Sequence, residues 1–125
     1  MNILKRSGFV ALMIIAALCA SCERKSFMRF GFDSPFSSSS DGLVIMYAGS
    51  GTEVITLYGN ISVSQGALHV RLIAPDGRET YSDTIASPGQ VSVFETYAPQ
   101  RGNWRLMYNS LEGEGVIHLH LFSEE

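Results

Sequence analysis

From Met28 to Leu121 the chain is written in period two. Met28, Phe30 and Phe32 alternate with Arg29, Gly31 and Asp33. Ile55, Leu57, Gly59, Ile61 and Val63 alternate with Thr56, Tyr58, Asn60 and Ser62. Leu68, Val70 and Leu72 alternate with His69 and Arg71. Trp104, Leu106 and Tyr108 alternate with Arg105, Met107 and Asn109, and Ile117, Leu119 and Leu121 with His118 and His120. Successive side chains of a strand point to opposite faces, so each run offers one apolar face to a core and one polar face to water. No window in this region carries the 3.6-residue apolar period of an amphipathic helix.

Turn chemistry separates the runs. Gly49-Ser50-Gly51, Ser64-Gln65-Gly66, Pro75-Asp76-Gly77, Ser87-Pro88-Gly89, Pro99–Asn103 and Glu112-Gly113-Glu114-Gly115 all fall between them. Pro presets φ and Gly tolerates positive φ, which is why these residues end strands. Short strands with turn signals about every 8–12 residues indicate a sandwich or barrel. The expectation is an all-β chain: a single antiparallel β-sandwich of about seven or eight strands, immunoglobulin-like or jelly-roll-like. Residues 79–85 suit an edge strand, and the broken alternation at Phe94 and Glu95 suggests a bulge. Phe27, Phe30, Phe32 and Phe36 are expected to cap the core. Ser37–Gly42 is expected to be a flexible linker or a long turn.

The first 22 residues differ in kind. Lys5 and Arg6 precede an apolar run from Phe9 to Ala20, and small residues then lead into Cys22. A basic start, an apolar stretch of about 7–15 residues and small residues at a cleavage point make a secretory signal. A membrane-spanning helix needs roughly 20 apolar residues, and charges close this run on both sides. Cleavage after Ser21 would remove Lys5 and Arg6 and take the net charge from −3 to about −5. An acidic domain is poorly suited to nucleic acid, whose phosphates are neutralised by basic residues.

Ala20-Ser21-Cys22 resembles the lipobox of bacterial lipoproteins. The family usually has Leu, Val or Ile three residues before the modified cysteine, where this chain has Cys19; Bacteroidetes lipoproteins look tolerant at that position. The resemblance implies a diacylglycerol thioether on Cys22, an acylated amine and lipid anchoring at the outer membrane of a bacterial envelope. More than one acyl chain holds a protein to a bilayer without help from its fold. Cleavage would remove Cys19 and acylation would consume the Cys22 thiol, so the mature domain would rest on its apolar core with no disulfide. The domain division expected is a signal over 1–21, a lipidated segment and linker over 22–42, and the sandwich over 43–125. The run Leu72–Gly77 and the segment Gly102–Leu106 are similar to parts of small Ig-like and P-domain-like bacterial modules.

No catalytic constellation emerges. The serines lie in turns without a G-x-S-x-G elbow. The carboxylates Asp76, Glu79, Asp83, Glu112 and Glu114 sit in or beside turns, and their spacing selects no acid–base pair. Two histidines at i and i+2 lack the further ligands of a structural zinc site, so no metal and no cofactor are expected. The feature with binding potential is a basic, imidazole-rich set on polar strand positions: His69, Arg71, Arg105, His118 and His120. If their strands are neighbours in one sheet, they share one outer face. The functional expectation is a membrane-anchored, non-enzymatic envelope lipoprotein that binds another envelope protein or a glycan. The alternative is a small periplasmic hydrolase or an enzyme-inhibitor domain. Trp104 faces inward by its alternation and belongs to the core, whereas Tyr58 faces outward and keeps a weaker sugar-stacking role open.

Overall fold

The computed structural model describes residues 27–124. The signal, Cys22 and the expected lipidation lie outside the described residues. Six antiparallel strands follow in order: β1 (Phe27–Phe36), β2 (Asp41–Ala48), β3 (Val54–Ile73), β4 (Glu79–Ala86), β5 (Gly89–Tyr97) and β6 (Gly102–Glu124). The two long strands, β3 and β6, pair from Val54/Glu124 to Ile73/Arg105, with register shifts around Gln65, and organise the rest. β5 pairs with the first part of β3 and β4 with its last part. β2 pairs with the first part of β6 and β1 with its last part.

The result is one sheet folded into two four-stranded limbs. The first limb is β1, β6 (114–124), β3 (54–63) and β5; the second is β2, β6 (102–111), β3 (67–73) and β4. The fold line is set by register shifts around Gln65. One residue on each strand there takes a left-handed conformation, Gly66 at φ 63° and Glu112 at φ 56°. A Cβ on Gly66 would collide with the Glu112 backbone, so glycine is required at this close approach. Across the fold line the inward residues of β3 change from odd to even numbers (Ile61 and Val63, then Leu68 and Val70). Those of β6 change the other way, from even (Trp104, Leu106 and Tyr108) to odd (Ile117, Leu119 and Leu121).

The all-β sandwich expected from the pattern is therefore what forms. The five alternating segments are all strands, but four of them are halves of β3 and β6, so six strands form where seven or eight were expected. Ser64-Gln65-Gly66 and Glu112–Gly115 are corners within continuous strands rather than chain-reversing turns. β5 runs in unbroken register from Tyr97 to Gly89, so the bulge expected at Phe94 and Glu95 is absent. The alternation fails there because Phe94 projects outward beside the inward Val93. The irregularity lies instead between Leu72 and Ile73, opposite β4. Ser37–Ser40 is a tight turn, with Ser40 N–H donating to Ser37 O at 3.0 Å and Ser37 N–H to Ser40 Oγ at 2.9 Å. Among the described residues the sheet includes Phe27–Phe36, and β1 is an integral edge strand.

The core lies between the limbs. Trp104, Met46, Ile55, Leu57, Ile61, Leu68, Val70, Leu72, Leu106, Ile117, Leu119 and Leu121 are fully buried. Trp104 Nε1–H donates to Gln100 O at 3.0 Å, which satisfies its polar end. Phe32 of the first limb meets Tyr108 of the second edge-on, with ring centroids 4.8 Å apart. Phe32 and Phe36 thus do pack on the core, whereas Phe27 and Phe30 stay exposed.

Candidate binding face

The outer side of the first limb carries an unusual mixture. Registered side by side across it are Gly31, His120, Tyr58 and Phe94. The adjacent rows are Asp33, His118, Asn60 and Ser92, and Arg29, Phe122, Thr56 and Thr96. Each residue is outward because its strand neighbours face the core. Phe94 is 76% exposed and Phe27 65%. Phe27 stacks against Phe122 at 5.4 Å, and Tyr58 against His120 at 5.6 Å. Thr56, Tyr58, Phe94 and Phe122 line an open recess of about 350 Å³. Aromatic surface gathered on a solvent-facing sheet costs solubility, and such patches mark contact sites.

A polar cluster borders this shelf. His118 Nδ1 lies 2.9 Å from Asp33 Oδ1, and His120 Nε2 lies 2.7 Å from Asp33 Oδ2. One carboxylate on β1 thus holds two imidazoles of β6. Hydrogen bonding from His118, and then from His120, holds the Asp33 carboxyl below its ordinary value. Gly31 makes this possible: a Cβ there would come 2.7 Å from Cδ2 of His120. The His120 side chain is mostly covered (15% exposed), whereas those of His118 and Asp33 are open to solvent.

The five residues singled out from the sequence do not share a face. His118 and His120 stand on the first limb. His69, Arg71 and Arg105 stand on the second, on the opposite outer side of the sandwich. The expectation placed them together because their strands are neighbours, which they are; the fold line divides them. On the second limb His69 Nδ1 lies 2.9 Å from Thr84 Oγ1. Arg71 Nη2–H donates to Met107 Sδ at 3.0 Å, and Nη1 lies 3.7 Å from Glu79 Oε2. Arg105 is exposed, flanked in register by Ile45 and Ile73.

Sequence reasoning missed Asp33, Phe94 and Phe122. Phe122 continues the outward series His118, His120, and Phe94 announced itself as the break in alternation. Asp33 gave no local signal, since its partners lie 85 and 87 positions away. No group of three or more His, Cys, Asp or Glu side chains among the described residues is arranged to hold a metal ion. A second recess of about 460 Å³ lies at the fold line, lined by residues such as Ser62, Ser64, Pro88 and Gln90, with no titratable side chain.

No protein-family model matches the chain, and no curated protein matches it in sequence. Solved structures do match it in shape. Part of dimeric latent PorU from Porphyromonas gingivalis superposes with a TM-score of 0.53 and 14% identity, over 81% of this chain and 13% of that one. PliG from Aeromonas hydrophila, a periplasmic inhibitor of g-type lysozyme, superposes with a TM-score of 0.46 and 18% identity, over 82% of this chain and 90% of that one. The chain thus spans only a small part of PorU. At 14% identity the likeness to PorU concerns the fold alone.

Proposed function

We propose that this chain is a non-enzymatic binding module, held at a bacterial envelope by lipid on Cys22, that engages another envelope protein or a glycan. The contact surface is the outer side of the first limb. The observation that carries this reading is the aromatic shelf of Tyr58, Phe94 and Phe122, bordered by the Asp33–His118–His120 cluster. Rigid aromatic rings on a flat sheet supply contact area at little entropic cost, and the cluster adds oriented hydrogen-bonding groups beside them. The role requires no cofactor, and the acidic balance sets nucleic acid aside.

The test is co-purification of the full-length, lipidated chain from its native envelope, with the Phe94→Ala/Phe122→Ala double variant alongside. Partner or glycan retained by the wild type and lost from the variant supports the role. Equal retention by both removes this face from consideration. Palmitate labelling that disappears in Cys22→Ser checks the anchor separately.

A further inference from the structure

Four strands form the edges of the two limbs, and three of them carry devices that discourage pairing with another chain. Charges, proline, irregular register and core-facing charged residues serve this purpose on natural edge strands. β1 has Arg29, Asp33 and Pro35. β4 has Glu79 and the core-side Asp83, and its register with β3 is broken at Leu72/Ile73. β5 has Glu95 on the core side, in register with Leu57. β2 has none of these from Gly42 to Ala48. Its register with β6 is continuous from Asp41/Asn109 to Ala48/Gly102. Among the described residues β2 pairs with β6 alone, so every second residue turns its N–H and C=O away from the sheet. Its single charge, Asp41, lies at the strand's start and accepts from Asn109 Nδ2 at 3.2 Å.

The side chains of β2 agree with this open edge. Val44, Met46 and Ala48 face the core. Leu43, Ile45 and Tyr47 face outward and are each about half exposed, at 54, 50 and 52%. A free edge bearing alternate apolar side chains fits an extended strand with alternate apolar side chains of its own.

We infer that β2 is a pairing edge for a second copy of this chain, joined antiparallel about a two-fold axis at Ile45. The argument for a copy is self-complementarity, which an isologous interface requires. With the axis at Ile45, Leu43 lies opposite Tyr47 of the second copy, Ile45 opposite Ile45, and Val44 opposite Met46. Asp41 falls opposite Gly49, beyond the strand end, so no like charges meet. Two second limbs would become one continuous sheet of twice the width, satisfying the open backbone groups of both copies. The edge is separate from the aromatic face of the first limb, so the two proposals stand or fall independently.

The experiment places single cysteines in the full chain in its native envelope: Ile45→Cys on β2, Ser82→Cys on β4 and Ser92→Cys on β5. Mild oxidation is followed by non-reducing electrophoresis against the wild type. The inference expects a covalent species of twice the chain mass from Ile45→Cys alone. It also expects sedimentation equilibrium to show a dimer for the wild type and a monomer for Ile45→Lys, with unchanged far-ultraviolet circular dichroism. Equal cross-linking from all three sites overturns it, as does a monomeric wild type without the Ile45→Cys species. An Ile45→Cys adduct of any other mass also overturns it, giving the edge to a strand of a different protein.

Discussion

Tyr97 shows how a single side chain can cost stability. It faces inward on β5 beside Trp104, with ring centroids 6.1 Å apart, yet its hydroxyl is buried with no hydrogen-bond partner. Burial first, then the charge of Glu95 and the nearby Tyr81, pushes the phenol up to about 12. A buried donor without a partner costs about 1–3 kcal/mol. Tyr97→Phe is therefore expected to stabilise the fold by about 1 kcal/mol in urea titration; a loss of stability would reveal a partner for the hydroxyl. Because the folded value is raised, the stability tied to the neutral phenol is intact below pH 10 and declines as pH rises towards about 12. That alkaline decline is expected to shrink in the phenylalanine variant. Asp33 has the opposite sign. Its lowered carboxyl contributes stability above 3.8 that is lost as pH falls through the folded value. Carbon-detected NMR titration is expected to place the Asp33 midpoint below 3.8 and to move it upward in His118→Ala. The i, i+2 spacing of His118 and His120 was visible in the sequence because it is local. The carboxylate that joins them was not, because strand pairing at such a separation leaves no trace in nearby residues.

At the scale of elements, nearly every strand could be located from alternation, and what alternation omitted was continuity. Period two marks where a strand faces a core. It does not distinguish a chain that reverses at Gly66 from one that bends there and carries on. Both need the positive φ that glycine supplies. Pro75-Asp76-Gly77 was read correctly because its chemistry is specific: Gly77 N–H donates to Ala74 O at 2.9 Å, and Asp76 Oδ1 accepts from Arg78 N–H at 2.9 Å. The fold line gives a paired prediction. Gly66→Ala puts a Cβ against the Glu112 backbone at φ 63° and is expected to cost at least about 1–2 kcal/mol. Glu112→Gly relieves a non-glycine residue at φ 56° and is expected to be neutral or stabilising by up to about 1 kcal/mol. Thermal melts of the two variants check both signs, and a destabilising Glu112→Gly would show that the corner does not strain that residue. The division of the basic residues between two faces follows from the same corner, since a bend in a shared strand separates side chains that a flat sheet would have kept together.

The whole molecule is tied together by β3 and β6, which belong to both limbs. Neither limb can open while the other stays folded without breaking the β3–β6 ladder at the corner, and the core that each limb needs is the inner face of the other. Small domains with one shared core unfold as a unit. Probes in different limbs are therefore expected to report one transition. Trp104 fluorescence follows the second limb, where the indole is fully buried. The NMR signals of His118 follow the first limb, through its contact with Asp33. Their urea midpoints are expected to coincide within error, and Leu119→Ala, which empties a fully buried site in the first limb, is expected to cost about 2–5 kcal/mol of stability and to lower both midpoints together. If Leu119→Ala shifted the histidine midpoint while the tryptophan midpoint stayed in place, the limbs would be independent units. The aromatic face and the β2 edge would then sit on supports of separate stability, and binding at one could not brace the other.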